Sequence, residues 1–216
     1  MSRKSAKFIA MPTDLPNLLT LSRIAVIPVI VVLMAIDAPG ADAAATLLFV
    51  LAAITDYLDG KLARDWRQTS DFGRMLDPIA DKLLVGAVLM MLVGTHRLGQ
   101  ASLYPAIVIM LREILVSGLR EYLAQSQARL PVTRLAKWKT GVQLVALGAL
   151  IAGDGTAQLI GLGWLPVGPI GRVLLWIAAL LTLITGWEYL LAGLRQAGKT
   201  PLAGLASSPG TRAPEG

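Results

Sequence analysis

The chain has 216 residues, of which 55% are hydrophobic and only 16% are charged, and its formal net charge is +6. Soluble domains carry about a quarter charged residues, so this composition argues against an ordinary soluble domain and indicates an integral membrane protein. Because the chain contains no cysteine, disulfides and thiol chemistry are excluded. The basic excess suits contact with anionic lipid headgroups, and we expect no nucleic-acid partner.

A basic N-terminal segment, residues 1–14, is expected at the cytoplasmic surface. The first predicted helix covers residues 15–36, with Asp14 as its cap and Pro16 in its first turn. Its purely apolar part is short for a membrane span, so we expect Arg23 to extend its side chain to the interface.

A signal peptide is the alternative for this first segment. Basic residues precede the apolar core, and Ala41-Asp42-Ala43 resembles a cleavage site. A membrane span is favoured, because Asp14 and two prolines fit poorly ahead of so short a core.

Five more helices are predicted, separated by segments rich in Gly, Pro and polar residues. They cover residues 43–57, 73–93, 103–124, 137–152 and 171–194. The sequence therefore predicts an all-α fold, a polytopic bundle of six transmembrane helices within residues 15–199. The tail, residues 200–216, is rich in Pro, Gly and Ser and is expected to be disordered.

Lys and Arg residues are distributed unequally between the two sides of the predicted bundle. If the N-terminus is cytoplasmic, the external connections contain only Arg97 and Arg172. This distribution agrees with the positive-inside rule. We therefore expect the second and third helices to meet at the cytoplasmic side of the membrane.

Six aspartates lie in the stretch DYLDGKLARDWRQTSDFGRMLDPIADK, residues 56–82, between two apolar runs. Asp56 and Asp59 share one face of the second helix, and Asp77 and Asp81 share one face of the third. Antiparallel packing would bring the two pairs together, at a depth where ionised carboxylates are costly without counter-charge. Oxygen-only ligands favour Mg²⁺, Mn²⁺ or Ca²⁺, and two metals about 3.5–4 Å apart suit phosphoryl transfer.

Small residues accompany these carboxylates. Gly60 and Ala63 lie one turn apart on the second helix, Arg64 follows, and Gly73 lies near the start of the third. They leave room for a nucleotide or a diphosphate against the helix backbones, although Gly60 and Ala63 also suit a helix-packing notch. Asp65 is interpreted as a solvated charge or a cap.

The spacing Asp56-x-x-Asp59-Gly60-x-x-Ala63-Arg64, followed after eight residues by Gly73-x-x-x-Asp77-x-x-x-Asp81, resembles the signature of the CDP-alcohol phosphatidyltransferase family. Every fixed position is present, and the six transmembrane helices of that family match the fold predicted above. The resemblance implies that an alcohol hydroxyl attacks the lipid-bearing phosphate of CDP-diacylglycerol and that CMP leaves. It also implies two divalent ions, Mg²⁺ or Mn²⁺, and a homodimer.

The resemblance implies roles for individual residues as well. It assigns metal binding to Asp56, Asp59, Asp77 and Asp81, with Asp81 also as the general base. It assigns CDP binding to Asp56, Asp59, Gly60, Ala63, Arg64, Gly73 and Asp77.

Three further segments resemble family members that use glycerol 3-phosphate: NLLTLSRI (17–24), REILVSGLREYLA (112–124) and AKWKTGVQLVAL (136–147). The phosphate of this acceptor needs fixed cations, and the candidates are Arg112, Arg120, Lys137 and Lys139. For Arg112 the alternative is an internal ion pair. Glu188 is the favoured partner over Glu113, because neighbours i and i+1 do not face each other on a helix. Interfacial anchoring is the alternative for the two lysines.

Other interpretations stay open on the sequence alone. The same chemistry could use inositol phosphate, serine or phosphatidylglycerol as the acceptor. A divalent-cation transporter is an alternative of another class, and it predicts carboxylates near the membrane midplane. Here the carboxylates lie at one end of two helices, beside Lys61, Arg64 and Arg74.

Overall fold

The computed structural model describes residues 15–66, 71–125 and 134–197. Its helices are α1 (Leu15–Ile36), α2 (Pro39–Trp66), α3 (Asp71–Gly94), α4 (Gly99–Gln125), α5 (Arg134–Leu159) and α6 (Val167–Ala197). These described ranges contain no strand, so the all-α prediction is confirmed. The predicted N-terminal segment, 1–14, and the tail, 200–216, lie outside the described residues.

Five of these helices contain a stretch that is long and apolar enough to cross a membrane. The stretches are Leu18–Ile36, Pro39–Asp56, Gly99–Glu121, Trp138–Leu159 and Val167–Leu191. The helix α3 does not meet the same criterion, because charged residues are concentrated between positions 71 and 82 and leave only residues 83–94 continuously uncharged. The fold is a polytopic helical membrane bundle, as predicted.

The helix ends differ from the prediction mainly where polar residues extend an apolar run. The helix α1 has the predicted bounds, whereas α2 continues past residue 57 to Trp66. Apolar patterning marks only the part of a helix that is embedded in a membrane or a core. In α5 the predicted end at residue 152 coincides with a kink, because Gly153 has φ 61° and ψ −178° before the helix resumes up to Leu159.

The main contacts within the bundle follow the order α3, α1, α2, α5, α6 and α4. The helix α1 packs against α2 and α3, α5 packs against α2 and α6, and α4 packs mainly against α6. Fully buried side chains fill the centre, among them Met34, Phe49, Leu92, Leu147 and Leu175. Many large apolar side chains lie on the outside of the same helices, as expected for surfaces that contact lipid.

Arg97 joins three parts of the chain at the predicted external end of the bundle. Its Nη2 lies 2.6 Å from Oδ1 of Asp37 and 2.9 Å from Oδ1 of Asp42, and its Nη1 donates a hydrogen bond of 3.0 Å to the carbonyl of Ile151. Burial alone would lower the pKa of Arg97, but the bonds to Asp42 and Asp37 raise it above its ordinary value. The arginine therefore stays charged and holds the α1–α2 connection, the start of α2 and α5 together.

Candidate active site

An ion pair between α1 and α2 lies at the centre of the charged region. Nη1 of Arg23 is 2.6 Å from Oδ1 of Asp56. The Arg23 side chain is 1% exposed, whereas that of Asp56 is 42% exposed. Arg23 is therefore paired with a carboxylate of α2 rather than extended freely into water, and its position relative to the membrane interface stays a prediction. This pair fixes the first predicted metal-binding aspartate against α1.

Asp81 brings a second carboxylate to the same region from α3. It lies within electrostatic range of Asp56 and Glu113 and of the cations Arg23 and Lys139. Five helices, α1 to α5, thus contribute charged side chains to one site. Two carboxylates so placed repel each other, and the neighbouring cations offset part of that repulsion.

Glu113 of α4 is the acidic partner of two of the predicted acceptor-site cations. Nζ of Lys139 donates a hydrogen bond to Oε1 of Glu113, and Nη1 of Arg112 lies 3.5 Å from the same oxygen. Lys139 is 4% exposed, so it is a buried cation rather than an interfacial anchor. The preference for Glu188 as the partner of Arg112 is wrong, because Glu188 is exposed while Glu113 turns towards α5.

Arg112 and Arg120 both reach the same aromatic residue of α6. Nη2 of Arg112 donates a hydrogen bond of 3.2 Å to Oγ1 of Thr185, and its Cζ is 5.6 Å from the centre of the Tyr189 ring. The Cζ of Arg120 is 5.2 Å from that ring, and its Nη2 donates a hydrogen bond of 3.2 Å to the Tyr189 hydroxyl. The two predicted phosphate-binding arginines therefore contact the same tyrosine, and Arg112 also lies beside Glu113, the partner of Lys139.

Sequence reasoning missed the contribution of α6. Thr182, Thr185 and Tyr189 are all buried, and their spacing places them on one face of the helix. A buried polar stripe at this spacing was the available signal, but it is weak in a segment whose other residues are mostly apolar. These residues reach the site because α4 packs against α6, which brings Arg112 and Arg120 to Thr185 and Tyr189.

The structure describes the backbone, but not the surroundings, of the remaining predicted site residues. They are Asp59, Gly60, Ala63 and Arg64 on α2, Gly73 and Asp77 on α3, and Lys137 on α5. Their backbones belong to helices, so Asp59 follows Asp56 by about one turn and Asp77 precedes Asp81 by about one turn. Their assigned roles stay predictions.

The donor chemistry of the acidic set fits a hard divalent cation, since carboxylate oxygens are the ligands that Mg²⁺ and Mn²⁺ prefer. Among the described residues, no group of three or more His, Cys, Asp or Glu side chains could hold a metal. Asp56 and Asp81 interact electrostatically, and they form the described half of the predicted ligand set.

Helices of membrane-spanning length around a cluster of carboxylates, lysine and arginines define a polytopic membrane protein with a charged site within its bundle. The family model for CDP-alcohol phosphatidyltransferases matches residues 13–184, which include α1 to α5 and the first half of α6. The chain belongs to the CDP-alcohol phosphatidyltransferase family and is accordingly an enzyme. Members of this family generally depend on divalent cations.

Three curated relatives extend the comparison over most of each chain. A protein of Rickettsia bellii is 48% identical over 179 residues, which are 83% of this chain and 94% of the relative. A protein of Cereibacter sphaeroides is 40% identical over 206 residues, and the match covers 82% of this chain and 93% of the relative. A protein of Bacillus subtilis is 37% identical over 191 residues, and the match covers 82% of this chain and 93% of the relative. Each is named CDP-diacylglycerol–glycerol-3-phosphate 3-phosphatidyltransferase.

Proposed function

We propose that this enzyme transfers a phosphatidyl group from CDP-diacylglycerol to sn-glycerol 3-phosphate, giving phosphatidylglycerophosphate and CMP. One observation carries the proposal: the carboxylates of α2 and α3 and the cations of α4 and α5 meet at one site, with Asp81 in electrostatic range of Lys139. A donor that binds through divalent metals and an acceptor that carries a phosphate need these two groups of side chains side by side.

The donor side of the site is built on α2 and α3. Two divalent ions, Mg²⁺ or Mn²⁺, would be held by Asp56, Asp59, Asp77 and Asp81. The CDP moiety would lie against Asp56, Asp59, Gly60, Ala63, Arg64, Gly73 and Asp77. When bound, the ions supply charge stabilisation to the pyrophosphate and to the departing CMP. Arg23 orients Asp56 for this role through its 2.6 Å ion pair.

The acceptor side is built on α4 and α5. Arg112, Arg120, Lys137 and Lys139 would bind the phosphate of glycerol 3-phosphate, because a dianion in a partly buried site needs more than one fixed cation. Before the acceptor binds, Glu113 offsets part of the positive charge of Lys139 and Arg112. Its carboxylate marks the place where an anionic group is stabilised by both cations.

The reaction needs one base. Asp81 would accept the proton of the acceptor hydroxyl as its oxygen forms a bond with the lipid-bearing phosphorus. The bond from that phosphorus to the oxygen of CMP breaks, and CMP leaves with the electron pair. Asp81 is suited to this step because it interacts electrostatically both with Asp56 on the donor side and with the acceptor-site cation Lys139.

The site would face the cytoplasm from the inner membrane of a bacterium. The lysines and arginines outside Arg97 and Arg172 support this orientation, since almost all of them fall on the same side as the site. In that position the lipid tails of the donor stay in the bilayer, while the soluble acceptor arrives from water. We also infer a homodimer, as the family resemblance implies.

An acceptor panel tests the proposal. The purified protein, with CDP-diacylglycerol in detergent or nanodiscs and with Mg²⁺ or Mn²⁺, is offered glycerol 3-phosphate, inositol phosphate, serine and phosphatidylglycerol. We expect CMP release above background with glycerol 3-phosphate alone. Release with serine or another acceptor but not with glycerol 3-phosphate would overturn the choice of substrate.

A further inference from the structure

We propose that Tyr189 is a positioning residue that holds Arg112 and Arg120 as a preformed pair for one phosphate group. This inference rests on the proposed function, because it assigns a purpose to two of the proposed acceptor-site cations. Tyr189 does not itself contact the substrate in this account. Its ring sets where the two guanidinium groups lie before the acceptor binds.

The ring of Tyr189 lies close to the guanidinium groups of both arginines. Arg112 and Arg120 are eight residues apart on α4, which corresponds to about 12 Å along the helix axis. Their Cζ atoms nevertheless approach the same ring, to 5.6 Å and 5.2 Å. Tyr189 is 4% exposed, and its hydroxyl accepts the 3.2 Å hydrogen bond from Arg120. Both guanidinium groups therefore take their position from α6 rather than from their own helix.

Two like charges that approach the same residue repel each other, and a group that attracts both of them offsets part of that repulsion. The face of an aromatic ring attracts a guanidinium group, and arginine is the cation that most often uses this contact. Fixing both arginines in advance leaves less rotamer freedom to be lost when a phosphate binds. The paired arginines thus suit a phosphate better than two free side chains would.

Gly186 supports the same arrangement from the preceding turn of α6. A Cβ atom added at this position would lie 3.1 Å from Cγ of Arg112 and 3.6 Å from its Nε. The stem of Arg112 therefore runs against the bare backbone of α6, between Thr185 and Tyr189. Tyr189 lies beyond residue 184, where the family match ends, so this geometry is the basis of the inference.

The alternative is that Tyr189 only fills space in the core. A space-filling residue affects folding and both substrates alike, whereas a positioning residue affects the phosphate-bearing substrate alone. Tyr189→Phe keeps the ring and removes the hydroxyl, and Tyr189→Leu removes both contacts. Gly186→Ala leaves Tyr189 in place and displaces Arg112 directly, because the added Cβ atom would lie 3.1 Å from Cγ of Arg112. Tyr104, an exposed tyrosine of α4, provides the matched control Tyr104→Leu.

The test measures the Kd for glycerol 3-phosphate by calorimetry without donor, together with the KM for each substrate. For Tyr189→Leu we expect the Kd and the KM for glycerol 3-phosphate to rise about tenfold or more, and for Tyr189→Phe about twofold to threefold. Gly186→Ala should raise both as well. The KM for CDP-diacylglycerol should stay within about twofold throughout, and Tyr104→Leu should match the wild type.

The outcomes separate this inference from the proposed function. If the wild type binds glycerol 3-phosphate without transferring to it, the proposed function fails, and the Kd series alone decides the inference. An unchanged Kd in Tyr189→Leu, or equal rises in the KM for both substrates, overturns the inference even if transfer occurs. If Tyr189→Leu does not fold, unchanged Kd values in Tyr189→Phe and Gly186→Ala overturn it. Absence of glycerol 3-phosphate binding in the wild type overturns both.

Discussion

Opposite charges from different helices meet in pairs within the site. Asp56 of α2 pairs with the buried Arg23 of α1, and Glu113 of α4 pairs with the buried Lys139 of α5. Taking a single charge out of water costs several kcal/mol, so each of these cations needs an acidic partner close by. The pairs make a charged centre tolerable inside an apolar bundle, and they keep its side chains in place for the substrates.

Asp81→Asn tests the role of the proposed base. The amide cannot accept a proton from the acceptor, so we expect kcat to fall by about 10²- to 10⁴-fold. The affinity for CDP-diacylglycerol should change much less, because the proposed CDP-binding set includes Asp56, Asp59 and Asp77 but not Asp81. Asp65→Asn is the control, since we interpret Asp65 as a solvated charge or a cap. Near-full activity of Asp81→Asn, measured as CMP release, would remove Asp81 from the mechanism.

At the residue scale, the candidate aspartates could be predicted from the sequence, whereas the side chains that pair with them could not. The spacing of Asp56 to Asp59 and of Asp77 to Asp81 reflects helix geometry, which a sequence displays directly. The pairing of Arg23 with Asp56 joins two helices, and no local period encodes it. The same holds for Tyr189, whose role depends on how α4 packs against α6. Long-range pairing of this kind follows from the tertiary packing alone.

At the scale of the helices, α5 and α6 approach each other closely at Gly171. A Cβ atom added there would lie 2.9 Å from Cγ of Leu150 and 3.2 Å from its backbone nitrogen. The backbone nitrogen cannot move without shifting α5. A glycine at this position is therefore a condition for the contact that holds α6, and with it Tyr189, against the rest of the bundle.

Gly171→Ala should destabilise the protein by about 1–3 kcal/mol, because overpacking forces the two helices apart. The measurement is the midpoint of thermal unfolding in detergent. Gly118→Ala is the matched control, because Gly118 is an exposed helical glycine with no atom within 4 Å of an added Cβ. The control should be unchanged or slightly stabilised, since alanine favours the helix. Equal midpoints for the two variants would show that Gly171 does not mark a tight contact.

The number of helices could be predicted from the sequence, but their full lengths could not. The apolar period ends where the environment becomes polar, whereas the backbone stays helical for several more residues, as in α2 up to Trp66. Gly153 was recognisable as a break, because GDG follows an apolar run, yet the short helical segment after it was not. The order of packing, with α1 between α2 and α3, also has no signal in a single sequence.

At the scale of the whole molecule, charge is unequal between the two ends of the bundle. The predicted external end holds Arg97 with Asp37 and Asp42, while the other end holds the site with its described cations Arg23, Arg112 and Lys139. With a net charge of +6, the chain suits an anionic membrane surface on that side. The same side is where a lipid-linked donor and a water-soluble phosphate could meet.

The account as a whole depends on divalent ions joining the carboxylates of α2 and α3 to the pyrophosphate of the donor. The most direct test is the Kd of a short-chain CDP-diacylglycerol for the purified protein, with Mg²⁺ or Mn²⁺ and after removal of metal by EDTA. We expect EDTA to raise the Kd about tenfold or more, and Asp56→Asn to abolish most of the effect of the metal, while Asp37→Asn at the opposite end changes nothing. A Kd that is the same with metal and with EDTA, and the same in Asp56→Asn as in the wild type, would contradict the account.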